Sequence, residues 1–229
     1  LKKESSSFTD ASEKQFIFDL WNQEPTSSST YGRLSIAVSG ATNPLSITLQ
    51  SGSVGVYDRA LSTTLTAADV FDGNWHHYAV TIKDSVNPTI KFYVDGNLNH
   101  TQLLVGTTMS NIRGVTGANN ALIGGLIHDV KGVGTYVTGS GKLSGSIDEF
   151  RYWKTAREGR QIKNNFFISL GGGMNDVDFD ETADLGVYFK FNEGITGDAS
   201  TDATVLDYSG RIANGAWTGY TAAARDTGS

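Results

Sequence analysis

The chain has 229 residues, with 18 Lys and Arg against 24 Asp and Glu for a net charge of −6. No basic cluster interrupts that balance, which excludes nucleic acid and anionic membrane as expected partners, since both need concentrated positive charge. The absence of Cys removes disulfide frameworks, thiolate metal sites and thiol nucleophiles. Abundant Gly, scarce Pro and frequent Ser, Thr, Val and aromatics favour short strands and many turns, so an all-β chain is expected, of a length that suits one large sandwich.

Residues 1–14 are polar and unpatterned and read as an arm or linker. The chain starts Leu1-Lys2-Lys3, as expected of a processed product or a window cut from a longer polypeptide. Residues 15–21 form the first strand signal, Phe16, Phe18 and Leu20 alternating with Gln15, Ile17 and Asp19. Strands follow at 33–38, 45–50 and 54–57, separated by Gly, Ser and Asn-Pro turns. From Trp75 to Lys83, His76, Tyr78, Val80 and Ile82 alternate with His77, Ala79, Thr81 and Lys83, which sets the two histidines on opposite faces as scaffold. Ile90, Phe92 and Val94 repeat the pattern, and Asp95-Gly96-Asn97 supplies a tight turn. Further strands are expected at 98–105 and 121–127, followed by a long Gly-rich loop at 129–141.

In L-S-G-S-I-D-E-F-R-Y-W, residues 143–153, Ile147 and Phe150 both reach a core only if the strand bulges near Asp148 and Glu149. Ile162, Phe166 and Phe167 sit at helical spacing, giving one short helix near 156–167 with Thr155 as N-cap. Leu185, Val187, Phe189 and Phe191 mark another strand, and residues 205–217 hold one or two short ones. A sandwich domain over 15–217 and a polar tail over 218–229 complete the expected organisation.

Four ordered blocks carry a resemblance: W-H-H-Y-A-V-T with Y-V-D-G-N, then L-S-G-S-I-D-E-F-R-Y-W-K-T-A-R, L-G-V-Y-F-K-F-N-E-G and V-L-D-Y-S-G-R-I-A-N-G. Together they resemble laminin-G-like, pentraxin-like domains of the concanavalin A-like lectin and glucanase superfamily. The resemblance implies a jelly roll of two antiparallel sheets. One departure is the opening strand of the type F-T-I-E-A-W-V-K, where this chain has polar residues; it lies upstream or another segment fills its slot.

The superfamily includes β-glucanases, whose retaining mechanism needs two carboxylates about 5–5.5 Å apart. The nearest match, D-V-D-F-D-E at 176–181, has Asp where both Glu should be and follows three glycines, so an active glycosidase is the third-ranked reading. Asp176, Asp178 and Asp180 also present the oxygen spacing of a calcium loop, though Glu181 stands where the sharp-turn Gly belongs, and a solvated acidic loop is the plainer reading. Relatives bind Ca²⁺ at the sandwich rim, so Ca²⁺ is the one cofactor expected. Asp148 and Glu149 read as acids that hold backbone at the bulge. His100 and His128 stand alone.

Sugar binding by a sandwich uses aromatic faces against pyranose C–H groups, with amides reading hydroxyls. Tyr93, Tyr188, Arg151 and Trp153 lie on outward parity, and Tyr31, Tyr136, Asn119 and Asn120 on loops. The first function expected is a non-catalytic carbohydrate-binding or adhesion module on a cell surface, secreted protein or phage particle, with a glycan or surface protein as partner and a larger parent polypeptide around it. The alternative is a structural or decoration domain of a virion or surface layer. An extracellular, cell-surface or virion location is expected in each case.

Overall fold

In a computed structural model of the chain, which describes residues 1–4, 8, 13–83, 85, 87–105, 119–127, 140–170, 184–194 and 202–217, strands dominate as composition requires. The chain divides into two compact units, Leu1–Ser146 and Ile147–Ser229.

In the first unit, β2 (Lys14–Trp21), β3 (Gly32–Ser39), β4 (Leu45–Ser51), β5 (Val54–Ala60) and β10 (Asn120–Ile123) form a five-stranded antiparallel sheet of order β10-β2-β3-β4-β5. A meander of β7 (Tyr78–Lys83), β8 (Thr89–Val94) and β9 (Asn97–Leu103) forms a second sheet. Period-two alternation drives one face of each sheet against the other. Leu34, Ile36 and Val38 of β3 and Leu45, Ile47 and Leu49 of β4 share one core with Ile90, Phe92 and Val94 of β8 and Tyr78, Val80 and Ile82 of β7. Each fully buried aliphatic side chain there contributes roughly 1.5–3 kcal/mol. Tyr78 and Phe92 stack at a centroid distance of 6.0 Å. This is the antiparallel all-β sandwich that the alternation and the resemblance imply.

Strict alternation fails in β2. The register against β3 slips between Phe16 and Phe18, a β-bulge that places Ile17 and Phe18 together on the core side. Phe16, Asp19 and Trp21 therefore share the opposite face. Residues 1–4, read as the start of a polar arm, instead contain β1 (Lys2–Glu4), which pairs with β6 (Asp72–Trp75) and, through Lys2, with Ser146. Lys3 is fully buried, its Nζ donating to Gln15 Oε1 at 2.9 Å and to the Ser144 carbonyl at 2.6 Å, over the rings of Phe8 and Phe71. Those two acceptors and two ring faces explain how a lysine is tolerated beside the core.

The strand expected through Trp75 to Lys83 is broken at His76 and His77, between β6 and β7. His76 is an electrostatic junction: Nδ1 lies 2.8 Å from Asp95 Oδ2 and Nε2 lies 3.2 Å from Asp72 Oδ2. Asp95 also accepts from the His77 N–H at 2.8 Å, tying the break to the β8–β9 turn. A short α1 (Ala67–Val70) with a Thr66–Asp69 capping box precedes it.

In the second unit, β11 (Phe150–Trp153) pairs with β12 (Leu185–Phe189), and β13 (Thr204–Val205) with β14 (Gly215–Ala216). The long strand expected over 143–153 begins only at Phe150, because Glu149 adopts a left-handed φ of 54°. The irregularity expected near Asp148 and Glu149 thus lies at the strand entry, while the register shift falls between Tyr152 and Trp153. The helix expected near 156–167 is α2 (Gly159–Asn165), shorter because Glu158, not Thr155, caps it in a box with Gln161. Ile162 is its buried residue and Phe167 is exposed.

Candidate functional site: a polar row across the five-stranded sheet

The five-stranded sheet has a second face, opposite the apolar core. On β3 and β4 it is made by Arg33, Ser35 and Ala37 and by Ser46, Thr48 and Gln50, all buried. Directly paired residues of an antiparallel sheet share a face. Register therefore aligns Asn120 of β10, Trp21 of β2, Arg33 of β3, Gln50 of β4 and Gly55 of β5 in one row across all five strands. Four strand spacings make the row roughly 19 Å long.

Exposure falls from the β10 end to the middle of the row and rises again at Gly55, which is half-buried. Asn119 and Asn120 are exposed, Trp21 is half-buried, and Arg33 and Gln50 are buried. The guanidinium of Arg33 lies over the Trp21 ring at 5.6 Å. It also forks onto Asp19, Nε to Oδ1 at 2.8 Å and Nη2 to Oδ2 at 2.5 Å, and Asp19 Oδ2 accepts a further bond from the Ile127 N–H at 3.0 Å. Burial pushes the Asp19 carboxyl up, while Arg33 and the Ile127 N–H pull it down. The pair cancels its own charge, so the face is polar without being ionic. Thr48 Oγ1 receives the Asp58 N–H at 3.0 Å, and Trp21 Nε1 donates to the Glu24 carbonyl at 2.8 Å, fixing the indole. Gln50 is different: among the described residues neither its buried Nε2 nor its buried Oε1 has a hydrogen-bond partner.

Residues 7–163 match the family model Laminin_G_3, described as the concanavalin A-like lectin/glucanases superfamily. The chain belongs to this superfamily.

Among solved structures, this superfamily member is similar at 18% identity to a protein from Bacteroides ovatus named for carbohydrate binding, with a TM-score of 0.46, covering 94% of this chain and 54% of that one. It therefore spans about half the length of that protein. A second similar structure is an S-layer domain-containing protein from Clostridium thermocellum, at 19% identity and a TM-score of 0.31, covering 72% of this chain and 68% of that one. No curated protein sequence matches. No helix among the described residues is long and apolar enough to cross a membrane.

The laminin-G-like chain places its sequence-predicted residues unevenly. Asn119 and Asn120 stand at the exposed end of the row. Tyr93 has the expected parity on β8, on the face opposite the core, but is 3% exposed and hydrogen-bonded with Thr81, so its ring is covered. Tyr31 is likewise fully buried.

In the second unit, Trp153 is half-buried with Arg157 stacked on its ring at 4.2 Å. Tyr188, expected to point outward, is fully buried; its hydroxyl donates to Glu149, neighbours Ser169 Oγ at 3.0 Å and accepts the Leu170 N–H at 3.2 Å. Burial and the adjacent Glu149 carboxylate raise the Tyr188 hydroxyl's pKa. Arg151 joins that network at Glu149 Oε2 and donates to the carbonyl of Asn165 at the end of α2 and to that of Ile168 beyond it. Asp148 accepts the Glu149 N–H at 2.9 Å.

Tyr136, His128 and the proposed calcium ligands Asp176, Asp178 and Asp180 lie outside the described residues. Among the described residues, no group of three or more His, Asp or Glu side chains is arranged to hold a metal ion.

Sequence reading singled out neither Trp21, Arg33 nor Gln50. Their signal was present as polar residues alternating with Leu, Ile and Val in β3 and β4, but it reads equally as a solvated face.

Proposed function

We propose that this chain is a non-catalytic carbohydrate-binding or adhesion module of a surface-displayed or secreted protein, binding glycan on the second face of the five-stranded sheet. The observation that carries this reading is the row itself, in which register aligns an exposed amide at Asn120, an indole at Trp21 and buried polar groups at Arg33 and Gln50. Indole faces take pyranose C–H groups, while amides bond hydroxyls. Both oxygens of Asp19 are engaged by Arg33 and the Ile127 N–H, which argues against its serving as a catalytic acid or nucleophile. Calcium held by Asp176, Asp178 and Asp180 belongs to the same proposal, with removal of the ion by chelator as its control.

The test is a glycan array probed with the wild type, Trp21→Ala and Asn120→Ala, with and without chelator. Glycan binding lost in Trp21→Ala supports the reading. Absence of binding to every glycan, together with incorporation into a larger particle or surface layer, favours the structural alternative. Hydrolysis of any bound glycan contradicts the non-catalytic assignment.

A further inference from the structure

The three-stranded sheet has an open edge. β7 pairs with β8 on one side, and among the described residues no strand pairs with its other side. Register shows which groups face that side, because alternate residues of an antiparallel edge strand turn both N–H and C=O away from the partner. The Asp95 N–H donates to the His77 carbonyl at 2.8 Å, so His77, Ala79 and Thr81 face β8, while Tyr78, Val80 and Ile82 turn their backbone groups outward. His76 faces the same way and is already paired. Its N–H donates to the Leu1 carbonyl at 3.0 Å, and the Leu1 nitrogen donates to its carbonyl at 2.9 Å. The β1–β6 ladder thus ends at His76, and the next residues facing its side have no backbone partner among the described residues.

The core is open at the same place. Tyr78, Val80 and Ile82 line it yet are half-buried, whereas Phe92 and Ile90, paired with Val80 and Ile82, are 1% and 2% exposed. Proline, charge and bulges are the usual means of closing an edge, and between Tyr78 and Ile82 there is no proline, no charge and no register shift.

The chemistry of the edge defines its occupant. Outward N–H and C=O groups, alternating with half-buried apolar side chains, call for main-chain hydrogen bonds and apolar side chains from one molecule. An extended polypeptide supplies both at a two-residue period. A sugar or an acyl chain does not.

We propose that the outward edge of β7 is a docking site for an extended strand of a partner polypeptide, added antiparallel so that it continues the β1–β6 ladder. Its residues opposite Tyr78, Val80 and Ile82 are apolar and close the core, because directly paired residues share a face. This surface lies on a different sheet from the glycan row and does not depend on it.

The experiment is hydrogen exchange of the full chain, read by NMR at single amides. The chain is measured alone at two concentrations, then with the acetylated, amidated peptide Lys-Val-Thr-Val-Thr-Val-Lys, and with Lys-Val-Val-Val-Thr-Thr-Lys as a control of equal composition. The alternating peptide is expected to slow exchange at Tyr78, Val80 and Ile82 about tenfold or more, with Ala79 and Thr81 unchanged because β8 already holds them. The control is expected to change none of the five. Val80→Pro removes the central outward donor and spares the β8 ladder, so the peptide is expected to lose its effect on Tyr78 and Ile82. Retained protection of Ala79 and Thr81 shows that this variant is folded, and the comparison of the two peptides on the wild type stands without it.

Slow exchange at the outward amides of the free chain, independent of concentration, would mean that the chain fills the edge itself. Slowing that grows with protein concentration would assign the edge to a second copy. Either result overturns the proposal, as does equal protection by both peptides or by neither, or undiminished protection in a folded Val80→Pro.

Discussion

Arg33 closes on Asp19 with two parallel hydrogen bonds, and both side chains are fully buried in the middle of the five-stranded sheet. The pair joins β2 to β3, and the Ile127 N–H on Asp19 Oδ2 ties the chain just beyond β10 to the same point. Removing one partner leaves an uncompensated buried charge. Arg33→Met or Asp19→Leu is therefore expected to lower unfolding free energy by about 3–5 kcal/mol, while the double variant recovers most of the loss. Urea titration of the three variants checks this, and additive losses would contradict it.

The His76 junction makes stability depend on pH. Bonding to Asp95 first, and to Asp72, raises the His76 pKa above its ordinary 6.5, against the lowering effect of burial. A raised folded-state pKa contributes stability that is fully present below pH 6.5 and is lost as pH rises through the folded value. His76→Gln is expected to be least stable relative to wild type on the acid side of neutrality, the gap closing above it. Asp72 runs the other way. Its bonds from Asn74, with His76, depress it from 3.8 to about 2, so its contribution is present above pH 3.8 and disappears as pH falls towards 2. Thermal melts across this range show the gap, and a gap independent of pH would refute the assignment.

Lys3 gives a third, alkaline signature. Burial lowers its pKa from 10.5, so between the folded and unfolded values the unfolded chain binds more protons and stability rises with pH. Lys3→Met is expected to flatten that rise without exposing the core that Phe8 and Phe71 help to cover. Denaturant midpoints of both proteins from neutral pH to 10.5 provide the comparison. An equal rise in the variant would show that another group is responsible.

Gly55 tests the geometry of the row. A Cβ there would stand 2.3 Å from the Leu49 carbonyl oxygen and 2.9 Å from Gln50 Cα, both backbone atoms that cannot give way cheaply. Gly55→Ala is expected to lower unfolding free energy by about 2 kcal/mol or more, read by urea titration. A variant as stable as the wild type would contradict the crowding.

Alternation made the sandwich readable, because Leu34, Ile36 and Val38 and Ile90, Phe92 and Val94 each mark one face by period two. It misled where backbone departs from regularity. The β2 bulge sends Ile17 and Phe18 to one side, and the break at His76 turns an apparent strand residue into an ion-paired junction. The row was hidden for another reason: Trp21, Arg33 and Gln50 meet through strand register, which one sequence does not encode locally. Tyr93 and Tyr188 show the converse, since outward parity says nothing of what then covers a ring. Asn120 was legible as a polar group, but its neighbour across the sheet was not.

The most direct measurement is amide and indole NMR of the wild type titrated with the array's best oligosaccharide. The largest shifts are expected on the Trp21 indole N–H and the side-chain amides of Asn119 and Asn120. Shifts confined to the second unit, around Trp153 and Tyr188, or spread over the exposed face of β9 with the row unmoved, would contradict it.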